Sequence, residues 1–319
     1  PLFDEDDVVY TPKSKTSTDV IAKTAIGYAA GDFSYANTNI DVTFTVTDGS
    51  LEISPKPYGI TTASDTKAYD GTALANATAS VTGLVAGETA TVSATGTITN
   101  VGTADNTYGE VSWGTAKSTN YVHSGELDAI GTLTVENATM TVTVTAENVS
   151  KTYDGTEYTA TKVEFSSESP LFKESDVVYT PKKVTSTDVI AKTAIGYTDD
   201  DFSYANTNIG VTFTVTDGSL EISPRAVTVT ADDLGKTYGE TDPTLTATVT
   251  GLVGADEITY TVTRASGDNV GTYTITPSGD AEQGNYTVSY ETGTFTIAKK
   301  AVTVTADDLG KTYGETDPT

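Results

Sequence analysis

The chain has 319 residues but no cysteine, one histidine, one methionine and one tryptophan. Without cysteine there is no disulfide, no thiolate nucleophile and no zinc–thiolate site. The single imidazole, His123, leaves no second ring for a His-rich metal site or a paired acid–base system. Basic residues are scarce too: 18 Lys and Arg stand against 44 Asp and Glu, a formal net charge of −26. Nucleic acid is therefore excluded as a partner, because phosphate binding needs a basic surface. No run approaches the ~18 consecutive apolar residues that a membrane helix requires. The acidic start, Leu2-Phe3-Asp4-Glu5-Asp6-Asp7, is not an export signal, so signal and anchor are expected outside this chain.

What the chain has in quantity is Thr (65), Gly (28) and Tyr (18). Thr and Tyr favour pleated, half-buried surfaces, and Gly punctuates turns. Val227-Thr228-Val229-Thr230 and Val142-Thr143-Val144-Thr145 alternate with the period of two that marks a strand. Asp70-Gly71, Asp154-Gly155, Asp48-Gly49 and Asp217-Gly218 are expected to supply the positive-φ positions of hairpin turns. The segments 83–88 and 251–256 read as a single helical turn or a wide loop, and no ten-residue stretch keeps a helical period. The composition predicts a secreted, soluble, all-β protein.

Internal repeats set the organisation. Residues 1–55 and 170–224 align without a gap and differ at eight positions, and 226–244 recurs unchanged as 301–319. A Lys-x-Tyr landmark stands at Lys67, Lys151, Lys236 and Lys311, and a closing strand begins at Gly49, Gly131, Gly218 and Gly293. These divide the chain into an incomplete module without its first strand (1–55), modules at 56–138, 139–224 and 225–298, and the opening strand of a further module (299–319). Connections such as Ile222-Ser223-Pro224-Arg225 are too short for flexible tethers. A tandem array of small β-modules, joined end to end as a rod, is expected.

Three landmarks recur in order: Tyr-Asp-Gly after a Val/Thr strand, Asn-Tyr before a penultimate strand (Asn120-Tyr121, Asn285-Tyr286), and Gly293-Thr294-Phe295-Thr296-Ile297 at the close. Together they resemble the YDG and MBG repeat families of large bacterial surface adhesins. Residues 227–297 are similar to the MBG type and 140–222 to the YDG type, and 56–138 is a more divergent YDG-like module. The resemblance implies a compact, mostly β module related to the β-grasp, arrayed on a bacterial cell surface, with no catalytic residues to transfer.

No catalytic, cofactor or metal site is assigned. A serine hydrolase would need His123 as its base, yet this residue falls at an exposed strand position. The clusters Asp4-Glu5-Asp6-Asp7 and Asp199-Asp200-Asp201 raise Ca²⁺, but neither has the spacing of a calcium loop. The repeat copies also disagree, Asp4 and Asp6 aligning with Lys173 and Ser175, so solvated loops are expected. The landmark lysines Lys67, Lys151 and Lys236 invite an isopeptide crosslink, against which stands a Lys stem packed over Tyr. Aromatic surface positions invite a sugar, against which stands cross-strand Tyr packing.

The function expected is a structural, non-enzymatic stalk or fibre segment of an extracellular adhesin. Its partners are neighbouring modules of the same chain or identical chains in a filament. Two alternatives accompany it: a filament subunit assembling by strand donation from 299–319, and a module that binds a glycan or host protein.

Overall fold

The structure, a computed structural model, describes residues 2–319; Pro1, the first residue of the long repeat, lies outside them. The chain divides into two compact units. One comprises 1–140 with 169–172 and 206–211, the other 141–168, 173–205 and 212–319. Strands joined by loops and three-residue 3₁₀ turns make up the fold, and the described residues hold no α-helix, that of a β-grasp included.

Segment 225–298 shows the plan most fully. Its opening strand Arg225–Ala231 lies in a four-stranded sheet between Ala247–Thr250 and Tyr286–Glu291, with Glu282–Gln283 at the edge. The chain then bends at Asp232-Asp233 and continues as Leu234–Thr237 in a second sheet. The late strand Tyr286–Glu291 makes the same passage and continues as Gly293–Ala298. Two bent ribbons, parallel to each other throughout, thus tie both sheets together. Val227, Val229, Ile275, Phe295 and Ile297 are buried between the sheets, while the intervening Thr side chains point outward. Each such apolar side chain contributes about 1.5–3 kcal/mol on burial, which lets so small a module hold a core.

The same plan recurs in the two preceding segments. Lys56–Thr62 passes into Asp65–Ala68, and Ala138–Ala146 passes into Asn148–Thr152. At every bend the two ribbons come so close that a side chain would not fit. A Cβ on Gly131 would lie 2.3 Å from the Ala63 carbonyl oxygen, on Gly218 2.1 Å from that of Glu147, and on Gly293 2.5 Å from that of Ala231. In these three segments the glycine that opens the closing strand is therefore a contact glycine, placed where backbone meets backbone.

This corrects the turn reading of Asp48-Gly49 and Asp217-Gly218: neither glycine has a positive φ, whereas Gly71 (81°) and Gly155 (79°) do. Asp217 instead accepts hydrogen bonds from the Gly196 and Tyr197 amides, and Asp48 does the same for Gly27 and Tyr28. Residues 301–305, expected to open a further module, have no strand beside them among the described residues. This sequence forms Arg225–Ala231 where neighbours flank it on both sides, but at 301–305, with no strand beside it, it forms none. Residues 40–47 behave likewise. Their copy forms Ile209–Thr216 against Ala138–Ala146, while 40–47 pair with nothing among the described residues and form no strand. Segments 83–88 and 251–256 are loops with a turn.

Candidate functional site

The polar constellation that recurs lies at the joints between consecutive sequence modules. In the first unit, the Val20 amide donates to Asn120 Oδ1 at 2.9 Å, and Asn120 Nδ2 donates to Asp19 Oδ1 at 3.0 Å. In the second unit, the Val189 amide donates to Asn285 Oδ1 at 2.8 Å, and Asn285 Nδ2 donates to Asp188 Oδ1 at 3.0 Å. A third instance, also within the first unit, uses Asn in place of Asp. There the Val101 amide donates to Asn208 Oδ1 at 2.7 Å, and Asn208 Nδ2 reaches Asn100 Oδ1 at 3.4 Å.

Local structure dictates this geometry. The Asx-Val pair ends the loop just ahead of a strand that runs beside the closing strand: Ile21–Ala25, Gly102–Asp105 or Ile190–Ala194. The receiving Asn sits immediately before the late strand of the next module, at the level where that module's opening strand begins. Its carbonyl accepts from the Ala138 amide at Asn208 and from the Arg225 amide at Asn285. One amide side chain therefore bridges two modules, and its backbone fixes the start of its own ribbon.

A second layer surrounds two of these clamps. Tyr286 donates to Asp256 Oδ2 at 2.6 Å and accepts from the Val253 amide at 3.0 Å. Tyr153, from the preceding module, donates to the same carboxylate oxygen at 3.0 Å and meets the Tyr286 ring edge-on at 5.4 Å. Burial, with Asp256 adding to it, pushes the Tyr286 phenol above its ordinary pKa; for Tyr153 the Asp256 hydrogen bond is the larger cause. At the other clamp, Tyr121 donates to Glu88 and accepts from the Val85 amide at 2.9 Å. There Lys117 lies 2.6 Å from Asp19, and its hydrogen bond, with that of Asn120, holds the Asp19 carboxyl below the usual range. The arrangement orients and locks the side chains at the joint.

His123 lies on the strand Tyr121–His123 with its Nε2 3.0 Å from Asp128 Oδ1 and 3.4 Å from the Tyr108 hydroxyl. No serine hydroxyl bonds to it among the described residues. In the acid clusters, Asp4 Oδ1 accepts from the Asp6 amide and Asp201 accepts from Lys182 Nζ and the Thr198 amide. No group of three or more acidic or imidazole side chains suited to a metal ion occurs among the described residues. The landmark lysines part ways: Lys67 pairs with Asp70, Lys151 lies over the Tyr158 ring, and Lys236 pairs with Asp242 beside Arg264. Trp113 stacks on Tyr121 at 5.7 Å and meets Tyr58 edge-on.

Sequence reasoning missed the Asx-Val half of the clamp. Its signal was present as Asp19-Val20, Asn100-Val101, Asp188-Val189 and Asn269-Val270. The Asn-Tyr half was noticed only as a family landmark.

Comparison with known families matches residues 227–296 to the MBG domain of the YGX type. No curated protein shows significant similarity to the chain. The matched span begins inside the opening strand Arg225–Ala231 and stops inside the closing strand Gly293–Ala298, so it takes in both bent ribbons. Residues 227–296 are an MBG-type repeat domain.

Proposed function

We propose that the chain is a non-enzymatic stalk segment of an extracellular bacterial surface protein, its modules held in line by the Asn clamps. The observation that carries this is the recurrence of one hydrogen-bond pattern at three joints: the Val20 and Val189 loops are copies within the long repeat, but the Val101 loop and the loops that carry Asn120, Asn208 and Asn285 differ in sequence. A clamp that survives such divergence serves the joint itself. Its neighbours along the chain are its partners in this reading, and the MBG match supports placement among surface-protein repeats. The acidic surface keeps parallel stalks apart by mutual repulsion.

Small-angle scattering tests the reading on the whole chain. The triple variant Asn120→Ala, Asn208→Ala, Asn285→Ala is expected to keep its circular dichroism and to show a broader distribution of interatomic distances than wild type. Superimposable scattering from the two proteins overturns the role of the clamp.

A further inference from the structure

The three clamps differ in how they treat charge. In the first unit, Asp19 Oδ1 accepts from Asn120 Nδ2 at 3.0 Å, and its second oxygen, Oδ2, holds the Lys117 ammonium at 2.6 Å. At the Val101 clamp the same position is the neutral Asn100, which leaves no charge to balance. Asp188 is the long-repeat copy of Asp19 and holds Asn285 through Oδ1 in the same way. Its Oδ2, however, has no hydrogen-bond or ion partner among the described residues. The residue three places before the receiving Asn, Lys117 in the first clamp, is Glu282 here.

An open depression of about 450 Å³ lies at this clamp, formed by segments 139–224 and 225–298 within the second unit. Asp188 and Tyr153 line it from the earlier module, and Asp256, Glu257 and Tyr286 from the later one; no Lys or Arg does. The two phenols already satisfy Asp256 Oδ2, at 3.0 and 2.6 Å, whereas the Glu257 carboxylate, like Asp188 Oδ2, has no partner among the described residues. Negative charge gathered in a concave, low-dielectric site focuses the field and concentrates cations there. The kind of cation is given by the repeat copy, in which the equivalent Asp19 oxygen holds a primary ammonium. No group of three acidic side chains suited to a metal ion competes with it among the described residues.

We propose that the depression lined by Asp188 and Glu257 binds a primary ammonium group, which takes the place filled by the Lys117 side chain in the first clamp and adds a bridge between the two modules. A small alkyl diamine and a lysine side chain of another polypeptide carry that group alike. The inference uses the geometry of the clamp and is separate from the stalk role.

The side-chain amide resonances of Asn120, Asn208 and Asn285 in the whole chain read the test at fixed ionic strength. The probes are putrescine, an end-blocked Gly-Lys-Gly peptide and calcium chloride. The Asn285 signal is expected to shift saturably with an amine while Asn120 and Asn208 stay in place, and the probe with the lower half-saturation identifies the source. Asp188→Asn keeps the clamp, as Asn100 does, and is expected to abolish the shift at Asn285. Lys117→Met is expected to create one at Asn120. Equal shifts at all three Asn in the wild type, or a shift at Asn285 that persists in Asp188→Asn, overturn the proposal. So does saturation by calcium with no response to either amine.

Discussion

Replacing Gly218 by Ala tests whether contact between the two ribbons governs the stability of a module. The added Cβ would sit 2.1 Å from the Glu147 carbonyl oxygen and 2.9 Å from the Ala146 and Glu147 carbonyl carbons. All three are backbone atoms, and the same Glu147 oxygen accepts from the Ser219 amide, so the chain cannot move aside without losing that bond. Overpacking of this kind costs roughly 1–3 kcal/mol. Against it, Ala narrows the unfolded ensemble by about 0.4–1 kcal/mol, a gain open to Gly218 because its φ is not positive. The net expectation is a loss of about 1–2 kcal/mol, or roughly 4–8 °C in Tm for each kcal/mol in a domain of this size. The chain carries its own control. Gly49 occupies the same repeat position, but its nearest neighbour is the Ile26 Cδ1 methyl at 3.0 Å, the free end of a side chain. Gly49→Ala is thus expected to stay within about 0.5 kcal/mol of wild type, as surface substitutions do. Thermal unfolding followed by circular dichroism and calorimetry reads both. Equal transitions for the two variants would refute the contact argument.

Asn285→Ala should lower the protection of the Ser223-Pro224-Arg225 junction, measured as faster limited proteolysis there, without shifting the melting of segment 225–298; an unchanged cleavage rate counts against the clamp. Asp242 is held down to about 2, first by Arg264 and then by Lys236. Because its folded pKa lies below the unfolded carboxylate value, its contribution is present above about pH 4 and lost as pH falls toward 2. Segment 225–298 of Asp242→Asn should therefore lose less thermal stability than wild type between pH 5 and pH 2; parallel losses would contradict the assignment.

The strand content was legible because Val/Thr alternation is local, and the landmark glycines stood out because they recur in sequence. The reason for that glycine was not legible: Asp48-Gly49 and Asp217-Gly218 look like turns, and only the approach of Glu147 reveals a packing role. Strand propensity likewise failed at 301–305 and 40–47, where the residues suit a ladder but no partner strand lies beside them. The joint escaped for a different reason. Asp19 and Asn120 are 101 residues apart, and neither half announces its partner until the modules are built.

Amide hydrogen exchange at four equivalent valines addresses the central claim most directly. Val20, Val101 and Val189 each donate to the Asn of a following module, whereas the Val270 amide has no partner among the described residues. In dilute, monomeric protein the first three are expected to exchange slowly and Val270 fast. Equal, rapid exchange at all four would mean that the clamps do not close in solution.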